Sequence, residues 1–304
     1  MKKVLAKTFV ELAKDKDEKY LAGTGERRSY LLNRENGKIM KEFKFGAKIY
    51  FNEKGDKVLL SQQDGKFAVY DIKNDTMILE QKLPGKHKEE PFTPCLFYND
   101  NTLLFGLCEA TREGKYLLLR YSISENVFEI IEQSSEAYFF AGKIENFYLC
   151  FQYIYVKEQS KIKLIKFDES ANSEEKIMDT DSDYMCLYNN NLYYLIETRK
   201  NLYEIYCMDK SFTERKIGEI RKKRNFSVSN LCVSDQYLGF IYRYYDSWKE
   251  EYFSLYNIST LEENGEELCP EFATDLLLTK DTLYIGAMDA LYCCELDRHS
   301  DDAN

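Results

Sequence analysis

The segment IRKKRNFS (220–227) carries four consecutive cations, Arg221, Lys222, Lys223 and Arg224. Guanidinium and ammonium groups at that density suit an acidic peptide, a phosphate or a nucleic-acid backbone. Because they are consecutive, a loop cannot aim all four at one ligand, and a solvated loop that keeps an edge soluble is the plain alternative. Arg199 and Lys200 in one neighbouring segment and Arg243 in another are expected on the same side, giving three adjacent cationic loops. Close to Arg243 stands the only tryptophan, in IYRYYDSWKEEYF (241–253). Trp248, Tyr245 and Tyr244 are residue types that anchor protein interfaces, where aromatic rings and arginine carry most of the binding energy.

Catalytic and metal chemistry find less support. His87 and His299 are the only histidines, so neither a His-rich metal centre nor a legible Ser-His-Asp or Cys-His set exists. No G-x-S-x-G is present. DTDSD (179–183) alternates aspartates as calcium loops do, but Tyr184 stands where glycine belongs and Asn190 where glutamate belongs. GTGERR (23–28) reads as a hairpin tip, not a phosphate loop. Carboxylates from separate segments, Asp183 and Asp289 among them, are compatible with a hydrolase. No cofactor and no metal ligand is expected.

The elements that must position these residues follow from composition and periodicity. The chain has 304 residues, 25 Tyr, 19 Phe, only 4 Pro and a net charge of −10. That acidic balance argues against a general nucleic-acid binder. The opening MKKVLAKTFV lacks the apolar run of a secretion signal, and no apolar run is long enough to span a membrane. The nine cysteines form no C-x-x-C pair. Cys95, Cys150, Cys186, Cys207, Cys232 and Cys293 lie inside apolar runs and read as small core residues in a reducing cytoplasm.

Short apolar segments recur along the chain: KYLAG (19–23), KVLLS (57–61), TLLFG (102–106), FYLCF (147–151), LYYLI (192–196), QYLGF (236–240) and TLYIG (282–286). They return every 38 to 46 residues, a fixed period of the kind that marks repeat architectures. A hydrophobic residue followed by Asp, Asn or Ser recurs in step: Leu32-Asn33, Tyr70-Asp71, Tyr121-Ser122, Phe167-Asp168, Met208-Asp209, Tyr256-Asn257 and Leu296-Asp297. Such residues bond their own backbone and start turns. A short apolar run (KIYF, PCLF, YFFA, MCLY, NLCV, DLLL) precedes all but the first of the repeated segments. Each repeat therefore reads as four strands, a to d, with a innermost and c ending at the Asp, Asn or Ser corner. After Leu296-Asp297 the tail is too polar for a strand d, so Val4–Lys7 is expected to supply it. Phe9–Ala13 is then strand a of the first repeat.

This pattern resembles a seven-bladed β-propeller of the broad WD40-like or YVTN-like kind. The resemblance covers essentially the whole chain and is architectural: no Trp-Asp pairs, Kelch glycines or Asp boxes occur, so no functional residue is carried over. It implies an all-β fold of four-stranded antiparallel blades, one domain over 1–304 with a polar acidic tail at 298–304. The ring is closed by the N-terminal strand. Loops a to b and c to d share the bottom, where DESANSEE (168–175) and NISTLEENGEE (257–267) place the acidic excess. Loops b to c and d to a share the top, slightly basic, with tall hairpins expected in blades 3, 4 and 6 and the insertion PGKHKEEPFTP (84–94) beside blade 3. In blade 6, Asp246-Ser247 as a two-residue turn sets Tyr245 against Trp248, Arg243 against Glu250 and Ile241 against Tyr252; Tyr244 then meets Lys249 and Tyr242 meets Glu251. The functional expectation is a non-enzymatic protein- or peptide-binding scaffold in the cytoplasm, with a partner that the cationic loops favour as acidic. The competing expectation is a lactonase-like hydrolase acting on a sugar derivative at the channel mouth.

Overall fold

Strands begin where short runs of Leu, Val, Ile, Tyr and Phe stand between turn residues, since these side chains pack well on a pleated, buried surface. A computed structural model covers the chain except residues 26, 63–64, 86–94, 109–114, 135–137, 146, 157–158, 169–172, 181–183, 248 and 297–304. For residues 108, 138–139, 141, 148, 150–156, 159–168 and 173–180 it describes the backbone only. Among the described residues every regular element is a strand, and none is a helix able to cross a membrane.

The first strand, β1 (Lys2–Leu5), belongs to the last sheet. Sheet 1 then follows in chain order as β2 (Glu11–Lys14), β3 (Tyr20–Thr24), β4 (Ser29–Asn33) and β5 (Ile39–Phe43). Sheet 2 is β6 (Ala47–Phe51), β7 (Lys57–Gln62), β8 (Lys66–Asp71) and β9 (Thr76–Lys82). Sheet 3 is β10 (Cys95–Asn99), β11 (Thr102–Cys108), β12 (Tyr116–Ser122) and β13 (Val127–Ser134). Sheet 4 is β14 (Tyr138–Ile144), β15 (Phe147–Val156), β16 (Gln159–Asp168) and β17 (Ser173–Thr180). Sheet 5 is β18 (Met185–Tyr188), β19 (Asn191–Arg199), β20 (Leu202–Met208) and β21 (Glu214–Arg221). Sheet 6 is β22 (Phe226–Val233), β23 (Tyr237–Tyr244), β24 (Glu251–Asn257) and β25 (Glu263–Leu268). Sheet 7 is β26 (Ala273–Leu278), β27 (Thr282–Ala287), β28 (Leu291–Glu295) and then β1. All seven are antiparallel meanders, with strands a to d in that order.

The repeated segments fall on strand b and the Asp, Asn and Ser markers at or just past the end of strand c, as the periodicity requires. The N-terminal strand does complete sheet 7, with Lys2 opposite Cys293 and Leu5 opposite Leu291. It lies two residues earlier than expected, and β2 starts at Glu11 rather than Phe9. Phe9 is instead a fully buried connector whose N–H donates to the Ala287 carbonyl at 3.0 Å. The acidic stretch 263–267, expected in a loop, is most of strand β25; its polarity reflects an outer strand with every residue exposed.

Hydrophobic burial joins successive sheets. One core is shared by sheets 1 and 2 around Leu31, Val58 and Tyr70, and one by sheets 2 and 3 around Phe67, Phe105 and Tyr121. Sheets 5 and 6 close on Tyr203, Phe226, Phe240 and Tyr242, and sheets 6 and 7 on Ile241, Phe253, Leu276 and Ile285. Cys95, Cys207, Cys232 and Cys269 are buried and Cys186, Cys293 and Cys294 half-buried, and none of these seven is in a disulfide. The chain forms two compact units, one of residues 1–12 with 184–304 and one of residues 13–183.

Candidate functional site

The nine described residues of the ten binding candidates belong to the unit that holds sheets 5 to 7. Backbone hydrogen bonds knit their loops together. The Phe226 N–H donates to the Lys200 carbonyl at 2.8 Å, and the Lys222 N–H to that of Asn201 at 3.2 Å. These bonds hold the β21–β22 loop against the tip of the β19–β20 hairpin. On the other side the Tyr245 N–H donates to the Asn225 carbonyl at 3.1 Å, tying the same loop to the β23–β24 hairpin. The three cationic loops are thus neighbours, as expected.

Lys222 corrects the picture of four solvated cations. Its side chain is 5% exposed, and its ammonium donates to Glu266 Oε2 at 2.8 Å, to Ser254 Oγ at 3.0 Å and to Glu263. The ring of Tyr242 lies 4.9 Å from it and that of Tyr256 5.8 Å. A buried ammonium needs all its donors satisfied, and carboxylates with aromatic faces do this. Sheet register explains the assembly. Ser254 pairs with Glu266, while a β-bulge in β25 sets Glu263 opposite Tyr256. The extra bulge residue, Asn264, brings two glutamates three apart in sequence onto one face. Burial acts to raise the Glu266 carboxyl, but hydrogen bonds from Lys222 and Tyr242 hold it below the usual carboxylate range. No sequence signal marked Glu263, Glu266 and Ser254 as partners of Lys222, because the bulge breaks the two-residue rhythm.

The other cations stay outside. Arg221 is 57% exposed and 3.9 Å from Glu219. Lys223, Arg199 and Lys200 are exposed. Arg224, half exposed, lies 3.7 Å from the Tyr244 ring and 3.2 Å from Asp246. Arg243 is exposed but sits across the ladder from Glu251. Burial pushes the Glu251 carboxyl up, and Arg243 opposes this. Tyr244 is 6% exposed and belongs to the sheet 5–6 core, so it backs Arg224 rather than meeting a partner. Tyr245 is 53% exposed. Trp248 lies outside the described residues.

The β23–β24 register differs by one residue from the expected one. Arg243 pairs with Glu251, Tyr242 with Tyr252 and Ile241 with Phe253. Two successive turns, closed by Ser247 N–H to the Tyr244 carbonyl at 3.1 Å and Glu250 N–H to the Ser247 carbonyl at 3.3 Å, replace the two-residue turn. A one-residue slip exchanges every cross-strand partner. The observed register matches ring to ring at Tyr242–Tyr252 and apolar to apolar at Ile241–Phe253, which the expected one did not.

Asp289 is at the tip of the β27–β28 hairpin, where it accepts from Lys3 at 2.8 Å and Tyr292 at 2.9 Å, and is exposed. Asp181, Ser182 and Asp183, both histidines and the insertion 86–94 lie outside the described residues. Among the described residues, no three His, Cys, Asp or Glu side chains gather as a metal centre would require. Hairpin strands are uneven: β15 and β16 have ten residues each, β11 and β12 seven, β3 and β4 five.

No family model matches this sequence, and no curated protein does. Solved structures do match. The Myceliophteria thermophila Cps50 (Swd1) beta-propeller domain is 10% identical with a TM-score of 0.69, covering 96% of this chain and 97% of that one. U3-55K is 8% identical with a TM-score of 0.59, covering 95% of each chain. The RRP9 WD40 repeats are 8% identical with a TM-score of 0.59, over 95% of this chain and 94% of that one. At such identities the likeness concerns fold alone. The chain has the β-propeller fold of the WD40-like kind, its last sheet completed by its own N-terminal strand.

Proposed function

We propose that this chain is a non-enzymatic scaffold, working as one propeller domain, that binds an acidic protein or peptide segment on the loops over sheets 5 and 6. The carrying observation is the division of labour within IRKKRNFS. Lys222 is consumed internally, and its inward turn fixes the loop so that Arg221 and Lys223 stand exposed beside Arg199 and Lys200. On a chain of net charge −10, an exposed basic cluster concentrates positive potential at one place and steers acidic partners toward it. The exposed ring of Tyr245 adds an amphipathic contact, and the longer hairpins of sheets 3, 4 and 6 offer further surface. The seven described cysteines form no disulfide, which fits a reducing compartment such as the cytoplasm.

The test is fluorescence anisotropy of labelled peptides on the full-length protein. A glutamate-rich peptide should bind, and its affinity should fall as salt rises. The double variant Arg221→Glu/Lys223→Glu should bind it at least tenfold more weakly while melting at the wild-type temperature. Equal binding by the variant, or a preference of the wild type for neutral peptides, would overturn the reading.

A further inference from the structure

The hydrogen-bonded loop system does not stop at Tyr245. The Cys269 N–H donates to the Glu251 carbonyl at 2.8 Å, the Met288 N–H to the Phe272 carbonyl at 3.2 Å, and Thr8 Oγ to the Met288 carbonyl at 2.8 Å. The loop from sheet 6 to sheet 7 and the β27–β28 tip therefore continue the same end of the molecule. This continuation is apolar where the sheet 5 end is cationic. Phe272 is 68% exposed, Leu268 52% and Met288 40%.

Phe272 is the informative residue. It has a φ of 58° in a turn closed by Ala273 N–H to the Pro270 carbonyl at 3.2 Å. A left-handed backbone is unfavourable for a bulky side chain and natural for Gly or Asn. A phenylalanine there gains neither local conformational ease nor burial within the chain. Strained, exposed positions of this kind cluster where a ligand is held. Glu271 precedes Phe272 in the chain and Glu267 precedes Leu268, both exposed. An acidic group is thus repelled from the sheet 7 end and attracted to the sheet 5 end.

We infer that the partner is an extended segment of two parts, acidic residues over Arg221 and Lys223 and one large apolar side chain over Leu268, Phe272 and Met288. This inference rests on the scaffold reading above and names its ligand. Arg221 on sheet 5 and Met288 on sheet 7 are two sheet spacings of about 10 Å apart, about 20 Å, and an extended chain advances about 3.3 Å per residue, so about six residues separate the two parts. Charge sets the direction of the segment, and the phenylalanine supplies the rigid apolar contact that interfaces use as an anchor.

The probe is a labelled peptide of glutamates, a flexible spacer of about six residues and a terminal leucine, titrated onto the full-length protein. Phe272→Asn suits the left-handed backbone, so its melting temperature should equal or exceed that of the wild type. It should weaken binding about tenfold. The same loss should follow when the peptide leucine becomes glycine, and the two changes together should cost little more than either alone. If both changes are neutral while Arg221→Glu/Lys223→Glu still abolishes binding, the two-part inference falls and acidic docking stands. If the charge reversal is also neutral, or the peptide does not bind at all, both fall.

Discussion

The turn from Asn257 to Glu262 and the loop from Arg221 to Phe226 flank sheet 6 and are built differently. The first repeats a device found on other sheets. Asn257 Oδ1 accepts from the N–H groups of Ser259 at 2.8 Å and Thr260 at 3.1 Å, and Leu261, with φ 57°, returns its N–H to the Asn257 carbonyl at 2.8 Å. Asn33 with Gly37, Asp71 with Asp75, and Ser122 with Asn126 do the same work in sheets 1, 2 and 3. A β-bulge in strand d follows in each of sheets 1 to 6. The loop from Arg221 to Phe226 has no counterpart among the described residues: a lysine turned into a box of tyrosines and glutamates. Repetition marks what any sheet of this fold needs, and singular chemistry marks what this chain adds.

If that contrast holds, damage to the repeated device should cost stability, and damage to the singular loop should divide by side chain. The largest effect is expected at Gly218 in β21. A Cβ there would stand 1.8 Å from Leu261 Cδ1 and 3.2 Å from its Cγ, and the left-handed turn gives Leu261 little freedom to retreat. Gly218→Val should destabilise by about 3 kcal/mol in urea unfolding. Adding Leu261→Gly, which removes the obstructing side chain and relaxes the φ, should recover much of it. A neutral Gly218→Val would mean the turn does not determine how sheets 5 and 6 pack.

Next comes the pair Lys222→Met and Lys223→Met, adjacent residues of one type. Lys222→Met leaves Glu263 and Glu266 without their cation, while Ser254 keeps its hydrogen bond to Glu263 at 2.8 Å. Because both carboxylates keep partial contact with water, the cost should be about 2 kcal/mol, not that of a fully buried pair. Lys223→Met should lie within about 0.5 kcal/mol of wild type. Equal effects would erase the distinction between anchor and displayed cation.

These two residues also show where sequence reasoning ran out. The strand pattern and the Asp, Asn and Ser corners were legible because each is local and recurs: KVLLS becomes a strand, and Tyr70-Asp71 its corner. The closing strand was legible because sheet 7 otherwise lacked a fourth member. Nothing local separates Lys222 from Lys223. That distinction depends on a bulge at Asn264 and on Ser254, far along the chain and meaningful only after folding. Tyr244 and Tyr245 divide in the same way, one into the core and one to solvent, because two turns replace one at Asp246-Ser247. Phe272 carried no periodic signal, since its interest lies in a φ that sequence does not display.

The last and smallest prediction uses pH to separate the singular loop from the seam at the N-terminal segment. Asp275 in β26 accepts from Leu12 N–H at 2.6 Å, Leu276 N–H at 2.8 Å and Asn230 Nδ2 at 2.5 Å. Burial nevertheless pushes its carboxyl up to about 6. A folded-state pKa above the unfolded value of about 3.9 contributes stability that is complete below that value and lost as pH rises through about 6. Glu266 runs the other way: its lowered pKa contributes stability above the unfolded value, lost as pH falls through the folded one. Lowering the pH from 7 toward 5 should therefore raise the melting temperature through Asp275, and further acidification should lower it, in part through Glu266. Asp275→Asn should flatten the limb between pH 5 and 7 and leave the acid limb in place. Lys222→Met should make the acid limb shallower and leave the neutral limb alone. If either substitution altered both limbs equally, seam and loop would be one cooperative element, and the contrast between shared scaffold and singular surface would have to be drawn elsewhere.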